Sequence, residues 1–185
     1  MPVFVDASLP VHPLTVDDVH EMLRVGIIGP EDHVELLDGV LAEMSPQGKP
    51  HAYAIRRLIA LAGPVVAAAG LELNVQAPLD IGSDISLPEP DVAIAPIAAR
   101  DTYPSQALLV VEMGATSLAI DLGHKAALYA AAGVPDYWVL DVERRALVVH
   151  REPVDGRYTL VRTASDDETV IALGLDLAVP VSALL

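Results

Sequence analysis

Residues 107–113, ALLVVEM, are apolar on both alternating faces. A strand of that kind is covered on each side, unlike one that keeps a face in water. A chain that contains it must supply packing layers above and below, which restricts the fold to a sheet flanked by other elements. Aromatic residues make up only 4% of the chain against 52% apolar residues in all. The core is therefore built from Ala, Val, Leu and Ile, a palette that favours stacked helices and strands over an aromatic-rich β-sandwich.

The flanking elements can be placed from local signals. Thr15 followed by Asp18 resembles an N-cap with an acid in the first turn, and Val19, Met22 and Leu23 repeat at helical spacing, so a short helix ending near Gly26 is expected. Asp38-Gly39 between apolar runs signals a hairpin with arms at 34–37 and 40–44. After the turn-rich loop SPQGKP, Ile55, Leu58, Ile59 and Ala62 share one face of a long helix that Gly70 can end and Pro64 should kink or break. Extended segments come next at 71–81, 91–97 and 107–113, then a helix from Thr116 closed by Gly133. Three strands, DYWVLD, ALVVHR and YTLVRT, and a last helical turn in VPVSALL complete the chain. This order predicts an α+β, or mixed α/β, fold in one domain over residues 1–185, a length usual for single domains.

Three acids sit where a purely structural role is costly. Glu35 lies inside the first hairpin arm, Asp91 opens a buried-looking strand behind Pro90, and Glu112 ends the apolar run. An unpartnered buried carboxylate costs several kcal/mol, so each needs a counter-group. A divalent cation such as Mg²⁺ or Mn²⁺, which takes oxygen ligands, would satisfy all three, and acids at the same end of neighbouring strands can share one. Lys125 stands four residues after Asp121 and four before Tyr129, on one helical face that begins soon after Glu112. Simpler readings stand beside these. Glu35 can be a strand-edge acid facing water, Asp91 a turn acid accepting backbone N–H groups, and Glu112 and Lys125 a buried ion pair with no metal. His51 opens the long helix near Arg56 and Arg57, as a phosphate contact or a surface histidine.

Asp91 in a Pro-Asp step followed by Glu112 at a strand end resembles the PD-(D/E)xK nuclease superfamily. The segments VELLDGVL, PDVAIAP and LLVVEMGATSLAIDLGHKAALYAAAGVPDYWVLD resemble, more closely, the Uma-type family of restriction-endonuclease-like proteins. The resemblance implies a mixed central sheet flanked by helices, with Glu35, Asp91 and Glu112 as metal ligands. It also implies Lys125 as the cation that stabilises the transition state, so that Asp91, Glu112 and Lys125 are the catalytic set. In the parent superfamily the lysine stands two residues after the last acid, where this chain has Gly114.

The expected activity is thus metal-dependent hydrolysis of phosphodiester bonds, with a nucleic acid, DNA first, as substrate and His51 as a substrate contact. The alternative is a non-catalytic or partner-dependent module that keeps the carboxylate–lysine cluster for structure. The formal net charge of −15 favours the alternative, because phosphate binding depends on Lys and Arg. A homodimer that gathers the 11 basic residues around one groove would offset it, and exposed edges of a mixed sheet suit such pairing. The absence of cysteine excludes disulfides and thiolate metal sites and fits a reducing cytoplasm. No apolar run reaches the ~18–20 residues of a membrane span, and the N-terminus has no basic region before an apolar stretch, so a soluble protein is expected.

Overall fold

The computed structural model describes residues 12–29, 31–44, 47–114 and 117–185. Most of the N-terminal stretch read for targeting signals, the start of the SPQGKP loop and Thr116 lie outside these residues. The chain divides into two compact units. The smaller holds the described residues up to Met44 together with Ser83–Leu87, and the larger holds Ser45–Gly82 and Pro88–Leu185.

In the smaller unit, helix α1 (Val16–Val25) begins on Thr15 with a reciprocal capping box to Asp18 and ends on Gly26 in the left-handed region, φ 78°. Strands β1 (Val34–Leu37) and β2 (Val40–Glu43) pair antiparallel around Asp38 and Gly39. Both turn residues have positive φ, 47° and 77°, as a two-residue type I′ turn requires. A Cβ at Gly39 would collide with Pro13, so only glycine fits there. Val19, Ile28, Leu36 and Leu87 form this unit's core.

The larger unit is built on a six-stranded mixed sheet. Helix α2 (Lys49–Ala68) leads into β3 (Leu71–Val75), succeeded by β4 (Val92–Pro96) and β5 (Leu109–Gly114). A crossover of α3 (Leu118–Ile120), a π-helical turn at Asp121–Lys125 and α4 (Ala126–Ala131) returns to β6 (Asp136–Asp141). Strands β7 (Ala146–Val154) and β8 (Arg157–Ser165) complete the order β3-β4-β5-β6-β7-β8, in which only β5 and β6 run parallel. A parallel pair needs a crossover connection, and here the helical segment supplies it. A small pair, β9 (Thr169–Ile171) and β10 (Ala178–Pro180), precedes a closing 3₁₀ turn at Val181–Leu184.

Strand alternation sorts the core into two layers. Val92, Ile94, Leu109, Val111, Met113, Trp138 and Leu140 pack against α2 and the C-terminal segment. Ala93, Ala95, Val110, Tyr137 and Val139 pack on the opposite face, where Ala126 and Tyr129 of the crossover meet them. Each fully buried large apolar side chain contributes about 1.5–3 kcal/mol. The chain thus meets the two-sided covering that residues 107–113 demand. Pro64 does not break α2, which runs continuously from Lys49 to Ala68. Pro64 and Ala60 both lie on the exposed face, where water can take the Ala60 carbonyl that the missing N–H leaves free. The β9–β10 pair has no counterpart in the sequence reading, because three-residue strands carry too few positions to show an alternation.

Candidate functional site

The β4–β5 register pairs Val92 with Val111. One step further toward the end of the sheet, Asp91 and Glu112 stand opposite each other, on the face that carries Val110 and Tyr137. The two acids replace ladder hydrogen bonds at that step. The Asp91 N–H donates to Glu112 Oε2 at 3.2 Å, and the Met113 N–H donates to Asp91 Oδ2 at 2.7 Å. Pro90 contributes no donor and sets the approach, so the charge falls at the rim of the sheet.

The remaining oxygens are met from three further elements. Lys125 Nζ and the Tyr129 hydroxyl both donate to Glu112 Oε1, each at 3.1 Å. Glu112 and Lys125 are buried, 3% and 6% exposed, so they form a desolvated ion pair. His51, at the head of α2, donates from Nε2 to Asp91 Oδ1 at 2.9 Å. That bond is the main reason the His51 pKa is raised; the charge of Asp91, the Met113 backbone and the charge of Asp121 add to it, while burial opposes them. Gln76 Nε2 reaches the same Asp91 oxygen at 3.3 Å. Gln76 directly follows β3 with φ 49°, a conformation rare outside glycine and concentrated at functional sites.

The structure therefore brings together Asp91, Glu112, Lys125 and His51 within the larger unit. Glu35 lies in the smaller unit, on β1 opposite Ala42, and is 7% exposed. Asp121 is buried and accepts the Ser117 hydroxyl at 2.7 Å. Sequence reasoning did not assign Gln76 or Tyr129 to the site. Tyr129 had a signal, its four-residue spacing from Lys125; Gln76 had none, because a backbone in the left-handed region leaves no mark at a glutamine.

Gly114 explains how the chain departs from the superfamily pattern. A Cβ there would lie 2.7 Å from Leu118 Cδ1 and 3.3 Å from Leu118 Cα, so the start of the crossover occupies the space a lysine would need. The ammonium arrives instead from the far end of the π turn, which holds Asp121 and Lys125 both buried. Such widened turns are rare in helices and occur frequently at functional sites.

Among the described residues, no group of three or more His, Cys, Asp or Glu is arranged to hold a metal ion. The donor set nevertheless fits a small hard cation. Mg²⁺ is commonly held by one or two carboxylates, with water and substrate phosphates completing the shell. Asp91 and Glu112 supply two carboxylates that the shared register keeps within about 8 Å of each other. Restriction-endonuclease-like nucleases generally use divalent metals.

A mixed sheet with one parallel pair, a helical crossover between the paired strands and acids at the end of that sheet define a restriction-endonuclease-like nuclease fold. The chain belongs to the Uma2 family, whose model, described as "Putative restriction endonuclease", matches residues 16–182. Among solved structures it is similar to one described as a "putative nuclease belonging to DUF820" from Anabaena variabilis ATCC 29413. The TM-score is 0.71 at 14% sequence identity, over 93% of this chain and 97% of that one. No protein of curated function matches it. Family and fold together support a nuclease, and no helix among the described residues is long and apolar enough to cross a membrane.

Proposed function

We propose that this chain is a metal-dependent nuclease that hydrolyses phosphodiester bonds of nucleic acid, DNA first, with Asp91, Glu112 and Lys125 as its catalytic residues. The observation that carries the reading is the facing of Asp91 and Glu112 at the end of the β4–β5 ladder, with Lys125 already on Glu112 Oε1. Asp91 and Glu112 would hold Mg²⁺ or Mn²⁺, with water and substrate phosphates completing the shell. When bound, the cation supplies a Lewis acid and acidifies water enough to attack at neutral pH.

The protein's own groups do the remaining work. The Met113 N–H and Tyr129 hydroxyl orient the two carboxylates, so little reorganisation is needed on binding. Lys125 releases Glu112 and turns its ammonium toward the phosphate, where three N–H donors meet charge developing on oxygen. His51, whose pKa the hydrogen bond to Asp91 raises, stands beside these groups as the proposed contact to a neighbouring phosphate. Two copies paired along exposed sheet edges would gather the basic residues around one groove; β8 is such an edge, with Leu160 and Val161 exposed.

A second reading rests on a specific observation: Glu112 Oε1 already carries both Lys125 and Tyr129. A cluster satisfied in this way can serve structure alone. The test is incubation of the protein with single- and double-stranded DNA and RNA in Mg²⁺ or Mn²⁺, beside Asp91→Ala, Glu112→Gln and Lys125→Ala. The nuclease reading expects cleavage by the wild type, abolished by either acid substitution and reduced about 10²–10³-fold by loss of the ammonium. Cleavage that survives both acid substitutions, or its absence from the wild type, leaves the structural reading in place.

A further inference from the structure

A nuclease with a net charge of −15 must find positive surface somewhere, and the structure shows where it is concentrated. Residues 44–71 contain no acid, although the chain has 26, and they carry Lys49, Arg56 and Arg57. Elsewhere most cations are spent on neighbours. Arg24, Arg144, Arg145, Arg151 and Arg162 pair with Glu21, Asp141, Asp166, Asp136 and Glu168. Among the described residues Lys49, Arg56, Arg100 and Arg157 form no ion pair, and Arg57 donates only to the Ala183 carbonyl.

Lys49, Tyr53 and Arg56 succeed one another at spacings of four and three, so they line a single face of α2 over about 10 Å of its axis. All three are exposed, and Tyr53, at 44%, is the most exposed aromatic side chain among the described residues. We propose that this face is the surface on which the nucleic-acid strand lies, its phosphates on Lys49 and Arg56 and a base or sugar against the Tyr53 ring. Cations interleaved with an aromatic ring are what single strands use for backbone charge and base stacking.

The same helix links that face to the acids. His51, two residues from Lys49 and about 3 Å further along the axis, projects from the opposite side of the first turn to Asp91. A backbone crossing the N-terminal end of α2 can touch Lys49 on one side and His51 on the other. An anionic membrane fits the row less well, because a surface-bound helix needs an apolar face to insert. That face of α2, with Ala54, Ile55, Leu58 and Ala62, is already buried in the core.

The identity of the polymer rests on the nuclease reading; the existence of the surface does not. The test is binding of labelled single- and double-stranded oligonucleotides in EDTA, as a function of salt, with anionic vesicles as a parallel arm. The double variant Lys49→Ala/Arg56→Ala should weaken binding at least about tenfold and flatten the log K against log salt slope by about 1.4 for single strands or 1.8 for duplex. Tyr53→Ala should weaken single-strand binding about tenfold with an unchanged slope. Arg100→Ala/Arg157→Ala, which removes the same charge elsewhere, should leave both unchanged. The proposal is overturned if the first double variant keeps wild-type affinity and slope, if the wild type binds neither oligonucleotide, or if it binds only vesicles. Cleavage in Mn²⁺ is scored separately. A wild type that binds without cutting removes the catalytic reading and keeps the surface, whereas unchanged binding by the Lys49/Arg56 variant of a cutting enzyme does the reverse.

Discussion

Two strands of the central sheet begin in the same way: Pro90-Asp91 leads into β4 and Pro135-Asp136 opens β6. Asp136 is fully buried and saturated. It accepts two bonds from the Arg151 guanidinium at 2.8 and 3.1 Å, one from the Trp138 indole at 2.7 Å and one from the Leu173 N–H at 2.9 Å. None of these donors loses its proton near neutral pH. Among the described residues Asp91 has one rigid donor, the Met113 N–H; its others are a titratable imidazole and an exposed amide held in strained backbone. A carboxylate enclosed by fixed donors ties elements together, whereas one met by groups that can rotate or titrate is available for exchange.

The largest expected effect that would break this contrast is on stability. Asp136→Asn should cost about 3–5 kcal/mol by leaving the Arg151 charge uncompensated, while Asp91→Asn should cost much less and remove cleavage. Chemical denaturation of both variants decides it, and equal losses would erase the distinction. Next, Glu112→Gln should destabilise by roughly 3 kcal/mol because the buried Lys125 ammonium loses the charge of this carboxylate. Adding Lys125→Met should recover much of that without restoring activity, which a double-mutant cycle would measure. Gly114→Ala should cost about 1–3 kcal/mol by overpacking against Leu118, and the further change Leu118→Ala should relieve part of the strain.

The smallest effect is in pH dependence, where two histidines oppose each other. His51 is raised by Asp91, so its contribution is complete below about pH 6.5, the unfolded value, and is lost as pH rises through the higher folded value. His150 is lowered by burial, so its contribution is present above about pH 6.5 and is lost on acidification toward the lower folded value. Melting temperatures from pH 5 to 9 should therefore fall toward both ends. His51→Gln should flatten only the alkaline limb; a variant that flattened the acidic limb would assign the wrong histidine to the site.

Much of the architecture was legible because it comes from local chemistry. The Thr15–Asp18 cap, the Asp38-Gly39 turn and the two-faced apolar strand each have one conformation that satisfies them. Asp91 and Glu112 were legible as charges in apolar settings and Lys125 by its place on the helix that follows and by the family resemblance, and Asp91 and Lys125 each meet Glu112 in the structure. Asp136 escaped notice although it repeats the same Pro-Asp pattern, because its partners Arg151 and Leu173 lie 15 and 37 residues away. The π turn was equally invisible. Helical periodicity read from residues 116–133 assumes 3.6 residues per turn, and a single widened turn changes the phase without changing composition.

That widened turn makes the ammonium's address a matter of counting. It amounts to one inserted residue in the helix, so deleting exposed Gly123 would restore ordinary winding and rotate the N-terminal part of the crossover by about 100° against its C-terminal part. Lys125, the last residue of the turn, and Tyr129 in the α-helix after it meet the same oxygen, whereas Glu112 lies before the turn. In an alignment of relatives, gaps should therefore collect between the glutamate and the lysine, and the lysine-to-tyrosine interval should stay at four.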